Sequence, residues 1–402
     1  MKNVHLMVAS SEWEQDQLRY RRHRLAEYLR QQQETAEVIW ICPSPAASTD
    51  GLTTLPNGIK QWIIEDLLPF KFFRFSRFID FFYREKLNPF LEYLRSLDGR
   101  YYLWYTFPGL PLLADLLPWE KVIYDCSDLW TAPIGGKRSL LAQMRHHVIY
   151  QAENRIIKRA DQIYCTSDYL NRQVAARLPA DEQTPLHTFE NGVEFDWFIR
   201  RRHWVQPVLP DEFSGPVLGY IGGIKPKLDF ELIRQAAERK PDWFFLFVGP
   251  DKTGGSHDFQ RLCQLKNVRW IGSVQPEDVP DYMALLDIGM MPYKSSPYNA
   301  AVFPLKLFEF LAAGKPVVGV CLPSTKKYAE DQVYASLDEG DPSAFIEACD
   351  RLLDSNQRTD SEHLCEHRRA LARQKDWPLI FEQMTAFLKN KSTVKRDRRS
   401  LM

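Results

Sequence analysis

FPLKLFEFLAAGKPVV, residues 303–318, reads as an apolar helix that carries two charges and then stops. Lys306 and Glu309 are three residues apart, so a helix sets them on one face. Gly314 supplies the helix end, and Pro316 and Val317 begin a strand. Pro304 and Leu305 open the helix, and proline suits a first turn because the N–H it lacks would be unpaired there anyway. Free backbone N–H groups at that end, with the Lys306 ammonium beside them, make a seat for phosphate. Glu309, about one turn further in, can accept hydrogen bonds from vicinal hydroxyls such as those of a ribose. An ordinary buried helix with one surface Lys–Glu pair has the same pattern, so the surroundings carry the choice.

Upstream, Val217–Gly223 reads as a strand running into the loop GYIGGIKPKLD, residues 219–229. Glycines at 219, 222 and 223 followed by Lys225 and Lys227 form a cradle for phosphate oxygens through backbone N–H groups and charge. A glycine after a strand also simply makes a turn. The spacing is not G-x-G-x-x-G, so a nicotinamide cofactor gains no support. Helix Ile233–Arg239 and strands Trp243–Gly249, Val268–Ile271 and Leu285–Met291 continue the alternation of an α/β domain. Before it, Asn191-Gly192-Val193 is a turn signal, and the next two dozen residues, through RRRHWVQPVLPDEFSGP at 200–216, lose periodicity and read as a linker.

The first half alternates in the same way. Val4–Ala9, Val38–Cys42 and Ile59–Ile64 read as strands, and Leu18–Arg30 as a helix with Leu18, Leu25, Tyr28 and Leu29 inside. The loop after the first strand, with Trp13, Arg19 and Arg22 beside it, lies where an open α/β sheet offers ligands its strand ends. A solvated, Arg-rich helix face has the same composition. Tyr101–Tyr105 and Lys121–Tyr124 are strands, and the second ends in Asp125-Cys126-Ser127-Asp128-Leu129-Trp130. Two carboxylates and an indole there suit ligand contact, although an Asp after a strand also caps helices. Helix Leu140–Arg159, strand Gln162–Cys165 and Ser167 as the next N-cap complete the pattern.

LLPFKFFRFSRFIDFFYREKLNPFLEYL, residues 67–94, is set apart by its composition. Lys71, Arg74 and Arg77 recur every three residues beside Phe72, Phe75, Phe78 and Phe82, so a helix would carry a basic stripe next to an aromatic one. Five basic and two acidic residues lie between Lys71 and Lys86 in a chain with 52 of each sign overall. This favours an interfacial helix on an anionic membrane, with Phe72, Arg74, Phe75, Arg77 and Phe78 in contact. A core helix with solvated arginines is the alternative.

The totals bound the rest. A chain of 402 residues with 45% hydrophobic content has material for two cores. Balanced charge gives no whole-molecule field for nucleic acid. Seven cysteines without a CxxC pair or metal spacing point to reduced, cytosolic thiols. The first apolar run is too brief for a signal peptide. The apolar window Tyr101–Trp119 is broken by Pro108, Gly109, Pro111, Asp115 and Pro118, so no transmembrane helix is expected. From Lys389 on, six basic residues and one acidic residue without apolar period read as a disordered tail.

Four local patterns resemble the GT-B glycosyltransferases, and among them the family-4, nucleotide-sugar-dependent, retaining kind. They are ENGVEFDWF at 190–198, FFLFVGP at 244–250, VRWIGSVQPEDVPDYMALLDIGMMPY at 268–293 and the 303–318 helix. YDCSD at 124–128 and the residues around Trp13, Arg22 and His23 are most similar to teichuronic-acid and other cell-surface polysaccharide glycosyltransferases. The resemblance implies an α/β fold of two Rossmann-like, doubly wound domains facing each other across a cleft. Residues 1–205 would bind the acceptor and 206–375 the nucleotide sugar, while 376–390 would form a helix crossing back, and 391–402 a basic tail.

It also implies roles. Glu309 would hold the donor ribose and Lys306 the phosphates, with Gly222, Gly223, Lys225, Lys227, Gly249, Pro304 and Leu305 lining the donor site. Trp13, Arg19, Arg22, Asp125 and Trp130 would meet the acceptor, and Asp128 would join Lys306 and Glu309 in the reaction by orienting it. Ala301 and Tyr220 stand where the family often carries Glu and Arg. No cofactor beyond the nucleoside diphosphate sugar is expected, and without an Asp-x-Asp pair no metal either. The expected activity is transfer of a hexosyl group to a lipid-linked or oligosaccharide acceptor by a cytoplasmic protein, peripheral on the inner face of the plasma membrane. A nucleotide-sugar epimerase and a non-catalytic membrane scaffold on the same fold are the rival readings.

Overall fold

The computed structural model describes every residue except 1, 17–18, 45–50, 67–74, 78–79, 134–139, 180–183, 201–207, 211–212, 357–360 and 390–402. The alternation of buried strands and amphipathic helices resolves into two compact units. The first comprises Met1–Thr131, Ser139–Phe189 and the chain from Pro378; the second comprises Ala132–Arg138 and Glu190–Trp377.

In the first unit, β1 (Lys2–Val8), β2 (Thr35–Ser44), β3 (Leu52–Thr54), β4 (Lys60–Glu65), β5 (Gly99–Tyr105), β6 (Lys121–Cys126), β7 (Gln162–Cys165) and β8 (Leu186–Thr188) form one sheet. Its order is β3-β4-β2-β1-β5-β6-β7-β8, and only the β3–β4 pair is antiparallel. A parallel sheet covered on both faces needs strands that are apolar throughout. Trp40, Ile41, Leu103, Trp104 and Ile123 are accordingly buried. His5 of β1 is buried too, and it accepts a hydrogen bond at Nδ1 from Trp104 Nε1 at 3.1 Å. Burial lowers its pKa to about 3.

In the second unit, β9 (Val217–Ile221), β10 (Phe244–Val248), β11 (Val268–Trp270), β12 (Ile288–Pro292), β13 (Val317–Val320) and β14 (Tyr334–Leu337) pair in parallel in the order β11-β10-β9-β12-β13-β14. From β9 the chain first adds strands on one side, then crosses to the other at β12. At such a reversal the loops leave in opposite directions and open a crevice at the strand ends. The crevice is framed by the loop after β9 and by Tyr293-Lys294 after β12.

Two features differ from the sequence reading, the division between the units and the aromatic stretch. The units divide between Phe189 and Glu190, not at 205, because the turn Asn191-Gly192-Val193 is bonded into the second unit. Val193 N donates to Lys375 O at 2.9 Å and Trp377 N to Val193 O at 3.0 Å. Part of the expected linker continues as helix Phe195–Ile199. The terminal helix Trp377–Lys389 lies on the first unit from Pro378 onward, where Tyr164 Oη donates to Met384 O at 2.7 Å and Lys121 Nζ to Phe387 O at 3.1 Å.

The aromatic stretch is the second difference. The described helix there is Asp80–Ser96; Phe72, Arg74 and Phe78 lie outside the described residues. Arg77 is exposed, but Phe75 is not a membrane contact. It is buried against Phe107, Ile149 and Ala152, with the Phe107 ring centroid 5.3 Å away, because a ring before the helix fills the space beside helix Leu140–Arg159.

Candidate functional site

The site of the second unit is built where two backbone segments and one side chain converge. Ile221 ends β9 and Val248 ends β10, and the loops after them run side by side: Gly222 N donates to Val248 O at 2.7 Å and Ile224 N to Pro250 O at 2.9 Å. So close an approach needs bare Cα atoms. A Cβ on Gly249 would lie 2.2 Å from Gly222 O, and one on Gly222 would lie 2.4 Å from Lys306 Nζ. Both residues have φ near +135°, at 133° and 135°, a region open to glycine and strained for other residues. The cradle and the lysine of the 303–318 stretch therefore meet directly.

Lys306 reaches that point from a helix shorter than the sequence suggests, Lys306–Ala312, with Leu305 at the N-cap position. Pro304 thus precedes the helix instead of sitting in its first turn. Asn191 Nδ2 donates to the carbonyl of Phe303 at 2.6 Å, which anchors the turn before Lys306. Glu309 follows one turn later and is half-buried, as is Lys306. At the far end Lys315 N donates to Phe310 O at 2.9 Å, closing the helix around Gly314.

Lys225 and Lys227 continue the loop from Gly222 and Gly223. Lys294 N donates to Lys227 O at 2.9 Å, so the loop pairs with the segment after β12 across the crevice. Asn299, fully buried, fastens the same junction: its Nδ2 donates to Lys227 O at 3.1 Å and to Lys294 O at 2.7 Å. The Lys227 ammonium lies 4.6 Å from the centroid of the Tyr293 ring, and that of Lys306 lies 5.2 Å from the centroid of Tyr220. Burial, with Tyr220 alongside, pushes the Tyr293 phenol well above its usual range, so it stays protonated. The crevice thus presents basic groups, glycine backbone and one carboxylate, a combination suited to a phosphorylated ligand carrying hydroxyls.

The proposed contacts of the first unit divide. Asp125 is 1% exposed and is taken by Arg21, whose Nε donates to Oδ1 and Oδ2 at 3.1 and 2.9 Å; it is a core ion pair and not an acceptor contact. Arg21 also donates to Phe189 O at 2.9 Å. Trp13 is likewise buried, packed edge-on against Trp40 and His23 at 4.9 and 4.7 Å, with its backbone N–H on Gln61. Arg19 is exposed and pairs with Glu27 at 3.0 Å, and the Arg22 guanidinium stacks on Tyr20 at 4.8 Å. Asp128 and Trp130 are half-buried. Trp130 rests on Phe107 at 5.2 Å, and among the described residues its buried indole N–H has no hydrogen-bond partner.

Arg21, Tyr220, Tyr293 and Asn299 were not among the sequence candidates. Arg21 was detectable, since it falls on the same helical stripe as Leu25 and Leu29. Tyr220 sits inside an apolar strand and carries no local signal.

Residues 215–355 match the family described as Glycosyl transferases group 1. Over 387 residues, 96% of both chains, the sequence is 53% identical to TuaH of Bacillus subtilis (strain 168), provisionally designated a teichuronic acid biosynthesis glycosyltransferase. The fold is similar to sucrose-phosphate synthase from Thermosynechococcus elongatus, at a TM-score of 0.70 and 16% identity over 96% of this chain and 98% of that one. It is also similar to Anabaena HepE in complex with UDP-glucose, at 0.67 and 14% over 96% and 99%. The two parallel-sheet units are those of the GT-B architecture.

Proposed function

The chain belongs to the group 1 glycosyltransferases, and from that premise we propose that it moves a hexosyl group from a nucleoside diphosphate sugar to a lipid-linked glycan of a teichuronic-acid-type cell-surface polysaccharide. The observation that carries the donor site is the convergence of Gly222, Gly249 and Lys306, with Glu309 one turn away. Cleavage of the sugar–phosphate bond leaves charge on the departing β-phosphate. The Lys306 ammonium, the backbone N–H groups near Gly222 and Gly223, and Lys225 and Lys227 are the groups to stabilise it. Glu309 accepts from the ribose hydroxyls, and Gly249, Pro304 and Leu305 shape the walls. Asp128, with Trp130, orients the acceptor. Reaction with retention and without a metal is the reading taken from the family. Because HepE is described with UDP and with UDP-glucose, UDP-sugars are the first donors to try. Release of UDP from UDP-glucose, UDP-galactose and UDP-glucuronic acid, with and without lipid extract, tests the reading; turnover with none of them, alongside absent nucleotide binding, would end it.

The acceptor's lipid anchor implies work at a membrane surface. Among the described residues no helix is long and apolar enough to cross a bilayer. The peripheral contact we propose moves from Phe75 to exposed side chains nearby: Phe81 and Phe82, at 67% and 55% exposure, and Leu140, Leu141 and Met144 at the start of helix Leu140–Arg159. Arg77 and Arg84 are exposed beside the first pair, and basic residues near anionic lipid contribute about 1 kcal/mol each. Phe81→Ser with Phe82→Ser should reduce flotation with phosphatidylglycerol vesicles at least about threefold. Equal flotation of the native and double-substituted chains would remove this contact.

A further inference from the structure

We propose, resting on the donor reading above, that Tyr220 is a positioning residue for sugar transfer: its ring holds the Lys306 ammonium over Gly222 with the charge left available to the donor diphosphate. The Lys227 ammonium lies over Tyr293, 4.6 Å from its ring centroid. A lysine ends in a compact, strongly hydrated charge on a flexible four-carbon stem, so something must restrict it before a phosphate arrives. A carboxylate partner would restrict it but would cancel its charge and repel the incoming anion. An aromatic face attracts the cation through its quadrupole and adds no net charge.

The crevice has this arrangement. Tyr220 and Tyr293 are 1% and 2% exposed, so their rings are fixed by packing. The Tyr220 hydroxyl donates to Gly223 O at 3.2 Å, tying the ring to the phosphate-cradling loop itself. Lys306 Nζ lies over this ring at 5.2 Å from its centroid. On its other side the space that a Cβ of Gly222 would take is filled by the lysine's Cε and Nζ. Among the described residues no carboxylate forms an ion pair with Lys306. Lys227, over Tyr293 at 4.6 Å with Tyr298 at 5.8 Å, is held by the second ring of the pair. Two ammonium groups sharing one crevice repel each other when it is empty, and each ring face offsets part of that repulsion.

A double-substitution cycle tests the proposal, with inorganic pyrophosphate as the probe and calorimetric titration as the readout. Tyr220→Phe keeps the ring and should bind pyrophosphate within about twofold of the native chain. Tyr220→Leu keeps the apolar volume without the ring and should bind roughly three- to thirtyfold more weakly. In a Lys306→Ala background the same Tyr220→Leu change should alter affinity by less than about twofold, because the residue acts through the lysine. An equal loss in both backgrounds, or no loss in either, overturns the proposal and leaves Tyr220 a packing residue. If Lys306→Ala alone leaves pyrophosphate affinity unchanged, it is the donor reading itself that fails. Melting temperatures of all four chains, with the Phe variant as reference, separate a folding defect from a binding one.

Discussion

Two sites, one in each unit, keep buried or half-buried charge in opposite ways. In the first, Asp125 of β6 lies against Arg21, and Glu153 receives Tyr124 at 2.5 Å and Arg177 at 2.7 Å. Every charge in these contacts is answered by a neighbour. In the second, the Lys306 ammonium lies over the Tyr220 ring beside Gly222, and that of Lys227 over the Tyr293 ring. A paired charge stabilises a fold only while both partners are present, whereas a charge held by a ring is kept for a ligand. The comparison sorts side chains that look equivalent in sequence into those that hold the protein and those proposed to serve its reaction.

The largest effect that would break this comparison is on stability. Asp125→Ala leaves the Arg21 guanidinium buried without its carboxylate and should cost about 3–5 kcal/mol. Urea unfolding measures it, with nucleotide affinity of the surviving folded protein unchanged; a cost below about 1 kcal/mol would place this pair among surface ion pairs. Glu309→Ala should act the other way round. Loss of hydrogen bonds from ribose to a charged acceptor is worth about 1.5–3 kcal/mol, so nucleoside diphosphate affinity should fall roughly ten- to a hundredfold with unfolding nearly unaltered. Pyrophosphate, which has no ribose, should bind this variant normally.

A smaller effect per unit of pH sharpens the first half of the comparison. Burial lowers the His5 pKa to about 3, against about 6.5 in the unfolded chain. Below pH 6.5 the unfolded chain takes up a proton that the folded one refuses, so stability falls as pH drops towards 3. The slope from this group reaches about 1.4 kcal/mol per pH unit. His5→Gln should remove that part of the acid sensitivity. Identical melting-temperature profiles for both chains between pH 4 and 7 (about the range in which the linkage acts) would contradict the assignment.

Much of the fold is legible because parallel strands buried on both faces must be apolar. FFLFV at 244–248 and VIY at 122–124 stand out for that reason, and both lie in strands of the structure. Helix Leu140–Arg159 and strand Gln162–Cys165 fall on the expected residues. The convergence of the glycine loop with Lys306 is legible because its parts are local: a short loop, a bare backbone and a charge three residues from Glu309. Less could be read where the deciding contact is distant in sequence. Asp125 looks like a ligand residue until Arg21, 104 residues away, is brought to it. Phe75 looks like a membrane anchor until Phe107 and Ile149 close around it. Tyr220 has no polar neighbour in its strand, and only packing against the 303–318 turn gives it a lysine to hold.

The most direct test of the account is a calorimetric titration of the native chain and of Lys306→Ala with UDP, GDP and ADP. The account predicts that one nucleoside diphosphate binds clearly better than the others and that Lys306→Ala weakens it at least about tenfold, or 1.4 kcal/mol. Its parent nucleoside, lacking the diphosphate, should bind both chains alike. Equal affinity of the two chains for every diphosphate would contradict the placing of the donor phosphates at Lys306.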